Sequence, residues 1–124
     1  MKITQISIRH YLLPLEPPFS PAWDTHSRKR FATTLVLVYT DEDIMGIGSG
    51  DLMMGFTGHE HLFIGKDPFD IQTHSQILAN MNFHYGRCWP LEIALWDIMG
   101  KATGMPLAQL LGSTTDKILA YAST

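Results

Sequence analysis

Residues 90–104 constrain the fold more than any other stretch. Leu91, Ala94, Leu95, Ile98, Met99 and Ala102 recur at three- and four-residue spacing, which places them along a single helical face. Pro90 suits a first helical position, where its missing N–H would have had no partner within the helix. Gly104, followed by Met105-Pro106, supplies the stop. The entropy of ordering such a helix nearly cancels what its own burial contributes, so it needs tertiary partners. Ile93 and Trp96 broaden the apolar surface beyond one stripe, and the helix is expected to be packed between a small sheet and other helices.

The partners are legible upstream. Residues 2–13 alternate imperfectly and predict a first strand, after which Pro14, Pro17, Pro18 and Pro21 predict a loop over residues 14–23 carrying Phe19 and Trp23. Residues 31–40, with Leu35-Val36-Leu37-Val38-Tyr39, form the strongest strand pattern. Asp41-Glu42-Asp43 is a polar turn, and residues 44–48 return as an antiparallel partner. Gly46, Gly48 and Gly50 alternate on one side of that return, leaving a face without side chains against which another element can pack closely. Leu52 to Gly58 is a second apolar loop, and a helix is expected over residues 59–64, ended by Gly65. Asp67-Pro68 reads as an N-cap and first-turn proline for a helix carrying Ile71, Ser75, Ile77 and Leu78 and fraying near residues 80–82. A short helix between Pro106 and Gly112 and a strand beginning over residues 117–122 complete the pattern. The fold class is α+β: an N-terminal antiparallel three-stranded sheet followed by a helical bundle.

At 124 residues the chain is long enough for one domain with a real core. A net charge of -3, with Arg28-Lys29-Arg30 as the densest basic run, gives no patch for phosphate, so no nucleic acid is expected as partner. Cys88 is the sole cysteine, which excludes an intramolecular disulfide. No apolar run of about twenty residues spans a membrane, and Met1-Lys2-Ile3-Thr4-Gln5 alternates where a signal peptide would be uniformly apolar. The expectation is no membrane and a cytoplasmic location.

The residues suggest no complete active site. His59-Glu60-His61 lacks the four-residue histidine spacing of a helical zinc site, and Asp41-Glu42-Asp43 lacks the spaced ligands of a calcium loop. Glu92 and Asp97 stand five apart on the helix, diverge, and are expected to hydrogen-bond across internal interfaces. Gly46-x-Gly48-x-Gly50 lacks the spacing and following helix of a dinucleotide loop, and neither Ser49 nor Cys88 has the surroundings of a nucleophile. Two segments remain unexplained, residues 19–26 and 53–56, whose large side chains would line a pocket with its reactive groups elsewhere.

Glu92-Ile93-Ala94-Leu95-Trp96-Asp97-Ile98-Met99-Gly100-Lys101-Ala102-Thr103-Gly104-Met105-Pro106, followed by Leu110-Leu111-Gly112, closely resembles the end of the N-terminal capping domain of the enolase superfamily, in its mandelate racemase and muconate lactonizing enzyme branch. The opening strand, the hairpin, Ile64-Gly65-Lys66-Asp67-Pro68 and Ala120-Tyr121-Ala122-Ser123 extend the resemblance over essentially the whole chain. The resemblance implies a cap over residues 1–116 and, in residues 117–124, the truncated start of a C-terminal barrel that ordinarily needs about 250 residues and is absent from this chain. It implies a lyase or isomerase that abstracts the proton α to a carboxylate, most often an acid-sugar dehydratase or racemase, with Mg2+ stabilising the resulting charge. The bases and metal ligands of such enzymes belong to the barrel; no catalytic or metal residue is assigned here, and the 124-residue chain alone is expected to be inactive.

By the same resemblance, two loops at about residues 17–30 and 50–58 close over the substrate, and Phe19, Trp23, His26, Met53, Met54 and Phe56 are its expected contacts. Phe19 and Trp23 would exclude water, and His26 would hydrogen-bond a polar substrate group. The implied partners are a small-molecule carboxylic acid, the protein's own barrel domain and further copies in a symmetric homo-oligomer. The rival reading is a stand-alone binding or structural module derived from the cap. The chain departs from the family at Gly46-Ile47-Gly48-Ser49, where a glutamate often follows shortly after the third strand.

Overall fold

The computed structural model describes residues 1–115 and 117–121. Three strands, β1 (Ile3–Phe19), β2 (Arg28–Thr40) and β3 (Met45–Gly50), form one antiparallel sheet in the order β1-β2-β3. A single 3-10 turn (Glu60–Leu62) and helices α1 (Ile71–His84), α2 (Trp89–Thr103) and α3 (Leu107–Leu110) follow. The described residues thus adopt the α+β architecture of a sheet followed by helices, with no barrel among them.

The alternating glycines fix where the sheet meets α2. A Cβ on Gly46 would overlap the carbonyl oxygen of Ala94, and one on Gly48 would overlap that of Pro90. The helix backbone therefore lies directly on the side-chain-free face of β3, the packing that the glycine pattern predicts. From this seat Leu91, Ala94, Leu95 and Ile98 reach the core beside Val36 and Val38 of β2 and Leu78 and Met81 of α1. The two helix carboxylates act across interfaces as expected. Glu92 accepts from Ser75 Oγ of α1 at 2.9 Å, and Asp97 accepts from the Ile47 N–H of β3 at 2.8 Å and from Lys101 Nζ at 2.6 Å. Gly104, at φ 65°, ends α2 as the sequence predicts.

Several boundaries differ from the sequence reading. β1 does not stop before Pro14 but continues to Phe19, with its pairing interrupted between Pro14↔Arg30 and Phe19↔Arg28. It is an edge strand, where missing proline N–H groups leave no central ladder incomplete. α2 starts one residue before Pro90, at Trp89, and its expected wrapping is incomplete: Ile93 and Ala102 are exposed. The helix expected over residues 59–64 is only the 3-10 turn. Asp70, not Asp67, caps α1, accepting from Thr73 N–H at 3.4 Å, while Asp67 accepts from Phe69 N–H in a turn of its own. Two aspartates three residues apart offer the same chemistry, and the turn at Pro68 assigns the cap to the second. α1 also holds its helical form to His84 instead of fraying at residues 80–82. Residues 117–121 carry no strand, and Ala122 of the strand expected there lies outside the described residues.

Candidate functional site: two loops at the sheet margin

β3 pairs with β2 only from Thr34 to Tyr39, so the β1–β2 ribbon runs on alone past the end of β3. Arg28 to Thr33 add six residues, about 20 Å at strand rise. The first loop, residues 20–27, sits at the ribbon's tip. Its organiser is Asp24, which accepts from the His26 N–H at 3.0 Å and from the Arg28 guanidinium at 3.3 Å. The His26 N–H first, with Arg28 behind it, holds the Asp24 carboxyl below the usual carboxylate range. Arg28 in turn lies 4.5 Å from the centre of the Trp23 ring, and Thr25 Oγ1 pairs with His26 Nδ1 at 3.0 Å. A two-stranded ribbon is marginal by itself, yet the loop at its end is locally ordered around one carboxylate.

The second loop, residues 51–58, leaves β3 beside α2. Asp51 Oδ2 accepts from both Trp89 Nε1 and Arg87 Nη1 at 3.1 Å, and these two donors, the indole foremost, hold its carboxyl below the usual range. The Met53 N–H donates to Thr34 Oγ1 at 3.1 Å, and that hydroxyl also pairs with His10 Nδ1 at 3.0 Å.

The six expected contact residues separate by burial. Trp23 is 68% exposed and Met54 70%; Phe19 and His26 are also exposed. Met53 and Phe56 are 2% and 0% exposed and belong to the domain core, Phe56 with its ring centre 5.9 Å from that of Phe63. Among the described residues no hydrogen bond, ion pair or aromatic contact joins the two loops, and two hollows, of about 390 and 340 Å3, are lined by none of the six. Asp51, Arg87 and Trp89 were not among the residues expected to matter; the one sequence signal for them is a carboxylate directly after the glycine-bearing strand.

Among the described residues no group of three or more His, Cys, Asp or Glu side chains is placed to hold a metal ion. His59 and His61 turn their Nδ1 atoms to the carbonyls of Phe56 and Gly58, and buried His74 donates from Nε2 to the Asp67 carbonyl at 2.8 Å. Burial pushes the Cys88 thiol up, away from nucleophilic use. No helix among the described residues is long and apolar enough to cross a membrane.

Comparison with known proteins places this sheet-and-helix domain in a family. The family profile described as mandelate racemase / muconate lactonizing enzyme, N-terminal domain, matches residues 3–112. Over 98% of its length the chain is 34% identical to cis-3-hydroxy-L-proline dehydratase of Roseibium aggregatum, covering 37% of that protein. Over 90% it is 31% identical to N-succinyl-L-Arg/Lys racemase of Bacillus cereus, covering 34%. The crystal structure of L-talarate dehydratase from Polaromonas sp. JS666, complexed with Mg and L-glucarate, superposes with a TM-score of 0.74 at 28% identity, over 93% of this chain and 36% of that one. The chain thus spans about a third of the length of the relatives it matches. It belongs to the mandelate racemase/muconate lactonizing enzyme family of the enolase superfamily, as the N-terminal capping domain of that family.

Proposed function

We propose that this chain is the substrate-closing cap of a longer enzyme that removes the proton α to a carboxylate, acting as an acid-sugar dehydratase or racemase. Residues 1–116 form the cap, and residues 117–124 lead into a C-terminal barrel that carries the base and the Mg2+ ligands. The substrate is a small carboxylic acid, and the complete protein is a cytoplasmic, symmetric homo-oligomer. The relatives support the chemistry by kind: dehydratases and racemases acting on acids or amino-acid derivatives, one of them crystallised with Mg and L-glucarate.

The observation that carries this reading is the exposure of Trp23 and Met54 at the heads of loops that are otherwise tied down by hydrogen bonds. An indole and a thioether held outward on ordered loops are apolar surface available to cover a ligand, and a substrate pocket closed from above would use it to exclude water. Phe19, Trp23, His26 and Met54 face the substrate in this reading, while buried Met53 and Phe56 hold the second loop from below. The cap's contribution is to exclude water and to select substrate shape.

Trp23→Ala in the full-length enzyme tests it. The ratios of kcat/KM across a panel of sugar acids, hydroxy acids and amino-acid derivatives are expected to change by about tenfold for the best substrate, the order expected when a large aromatic contact is removed. Unchanged ratios across the panel would remove the first loop from the substrate site.

A further inference from the structure

We propose that the connection between α1 and α2 together with the first residue of α2, through Tyr85, Arg87 and Trp89, is the positioning element of the second loop, setting substrate discrimination without itself touching substrate. The inference rests on the cap reading above. Its observations are geometric and independent of the relatives.

The loop and its flank bear on this short connection at three points. At the start, Asp51 Oδ2 receives the Trp89 indole N–H and the Arg87 guanidinium together, and Gly50 lies so flat on the Trp89 ring that a Cβ there would overlap it. In the middle, Gly55 passes the Tyr85 carbonyl at a distance only glycine allows. Just beyond the loop, the His59 ring lies 4.6 Å from the Tyr85 ring, centre to centre. The connection is itself held, because Asn82 Oδ1 accepts from the Cys88 N–H at 2.6 Å and the Met81 carbonyl from the Tyr85 N–H at 2.7 Å.

An exposed ion pair alone contributes little. Here a neutral indole donor shares the same carboxylate oxygen, which restricts where that oxygen can sit. α2 lacks a side-chain hydrogen bond at its N-cap, Cys88, so a carboxylate beside its first residue also complements the positive end of the helix dipole. The chain between these points contains Gly55 and Gly58 and has many conformations to lose. Holding it at three places leaves Met54 projecting and Met53 buried.

The test uses the full-length enzyme with Trp89→Phe, which keeps an aromatic side chain at the head of α2 while removing the indole N–H and the far ring edge that meets Gly50. Amide hydrogen exchange over residues 51–55 is expected to rise about tenfold, the factor that follows from losing one hydrogen bond to a charged group. Exchange in β2 should stay unchanged. The kcat/KM ratios across the substrate panel should move through KM, and Asp51→Asn, which retains an acceptor oxygen, should give a smaller change than Asp51→Ala. Faster global exchange, or raised loop exchange with unmoved ratios, would overturn the inference. Met54→Ala separates it from the reading beneath it. If Met54→Ala leaves the ratios unchanged, the second loop does not face substrate, and its place in the cap reading falls together with the positioning role. If Met54→Ala shifts the ratios while Trp89→Phe alters neither exchange nor ratios, the positioning role alone is refuted.

Discussion

Replacing Gly48 with alanine would drive a methyl group into the backbone of α2. The added Cβ would overlap the Pro90 carbonyl oxygen and stand 2.9 Å from the Ala94 nitrogen and 3.1 Å from the Pro90 carbonyl carbon. None of these atoms can rotate aside as a side chain would, so the helix has to withdraw from β3. Withdrawal loosens Leu91, Ala94, Leu95 and Ile98 against Val36 and Val38, all of them fully buried. Overpacking costs 1–3 kcal/mol as a rule, and a clash with backbone belongs at the upper end, about 3 kcal/mol. For a domain of this length that is roughly 10 °C in Tm by thermal denaturation followed by circular dichroism. Gly100→Ala is the matched control. Its Cβ would meet the Met105 carbonyl oxygen at 3.2 Å and the Leu107 side chain at 3.5 Å, while alanine gains about 1 kcal/mol over glycine inside a helix. That variant should melt at or slightly above the wild-type temperature. A Gly48→Ala variant melting within about 2 °C of wild type would refute the argument that β3 and α2 are in backbone contact.

Asp97→Ala removes the acceptor for the Ile47 N–H, a free donor on the edge strand, and for Lys101; a loss of about 1.5 kcal/mol is expected in urea denaturation, and an unchanged midpoint would count against the bridge between β3 and α2. The pH response of the first loop follows from Asp24, whose carboxyl is depressed below its ordinary value of 3.8. A depressed acid stabilises the ordered loop above that ordinary value and loses the effect as pH falls through the lower folded value, so the side-chain carboxyl carbon resonance of Asp24 should titrate with its midpoint in that acidic window. A midpoint above 3.8 would contradict the Asp24 hydrogen bonds.

Much of this domain was legible because its determinants are local and periodic. The helix at residues 90–104 announces itself by spacing and by Gly104, and the alternation of Gly46, Gly48 and Gly50 forecasts the close approach of α2. The angular separation of Glu92 and Asp97 allows no joint chemistry and directs each to its own interface. Where periodicity ends, the sequence decides less. Met53 and Met54 are adjacent and chemically identical, yet one is buried and the other exposed, since an irregular loop has no period to say which side chain turns inward. The prolines after Leu13 suggested a loop because strand pairing needs N–H groups; only the position of β1 at the sheet edge removes that need. No short-range pattern marks Asp51, because its partners, Arg87 and Trp89, lie 36 and 38 residues away.

Exchange of the α-proton with deuterium, followed by NMR on a panel of carboxylic acids, tests most directly whether these residues are a lid over chemistry housed elsewhere in a longer polypeptide. The full-length protein should exchange that proton from at least one acid in the presence of Mg2+ and stop on chelation, whereas the isolated 124-residue chain should leave every acid untouched. Chelation-sensitive exchange by the isolated chain, or none from any acid with the full-length protein, would contradict the account.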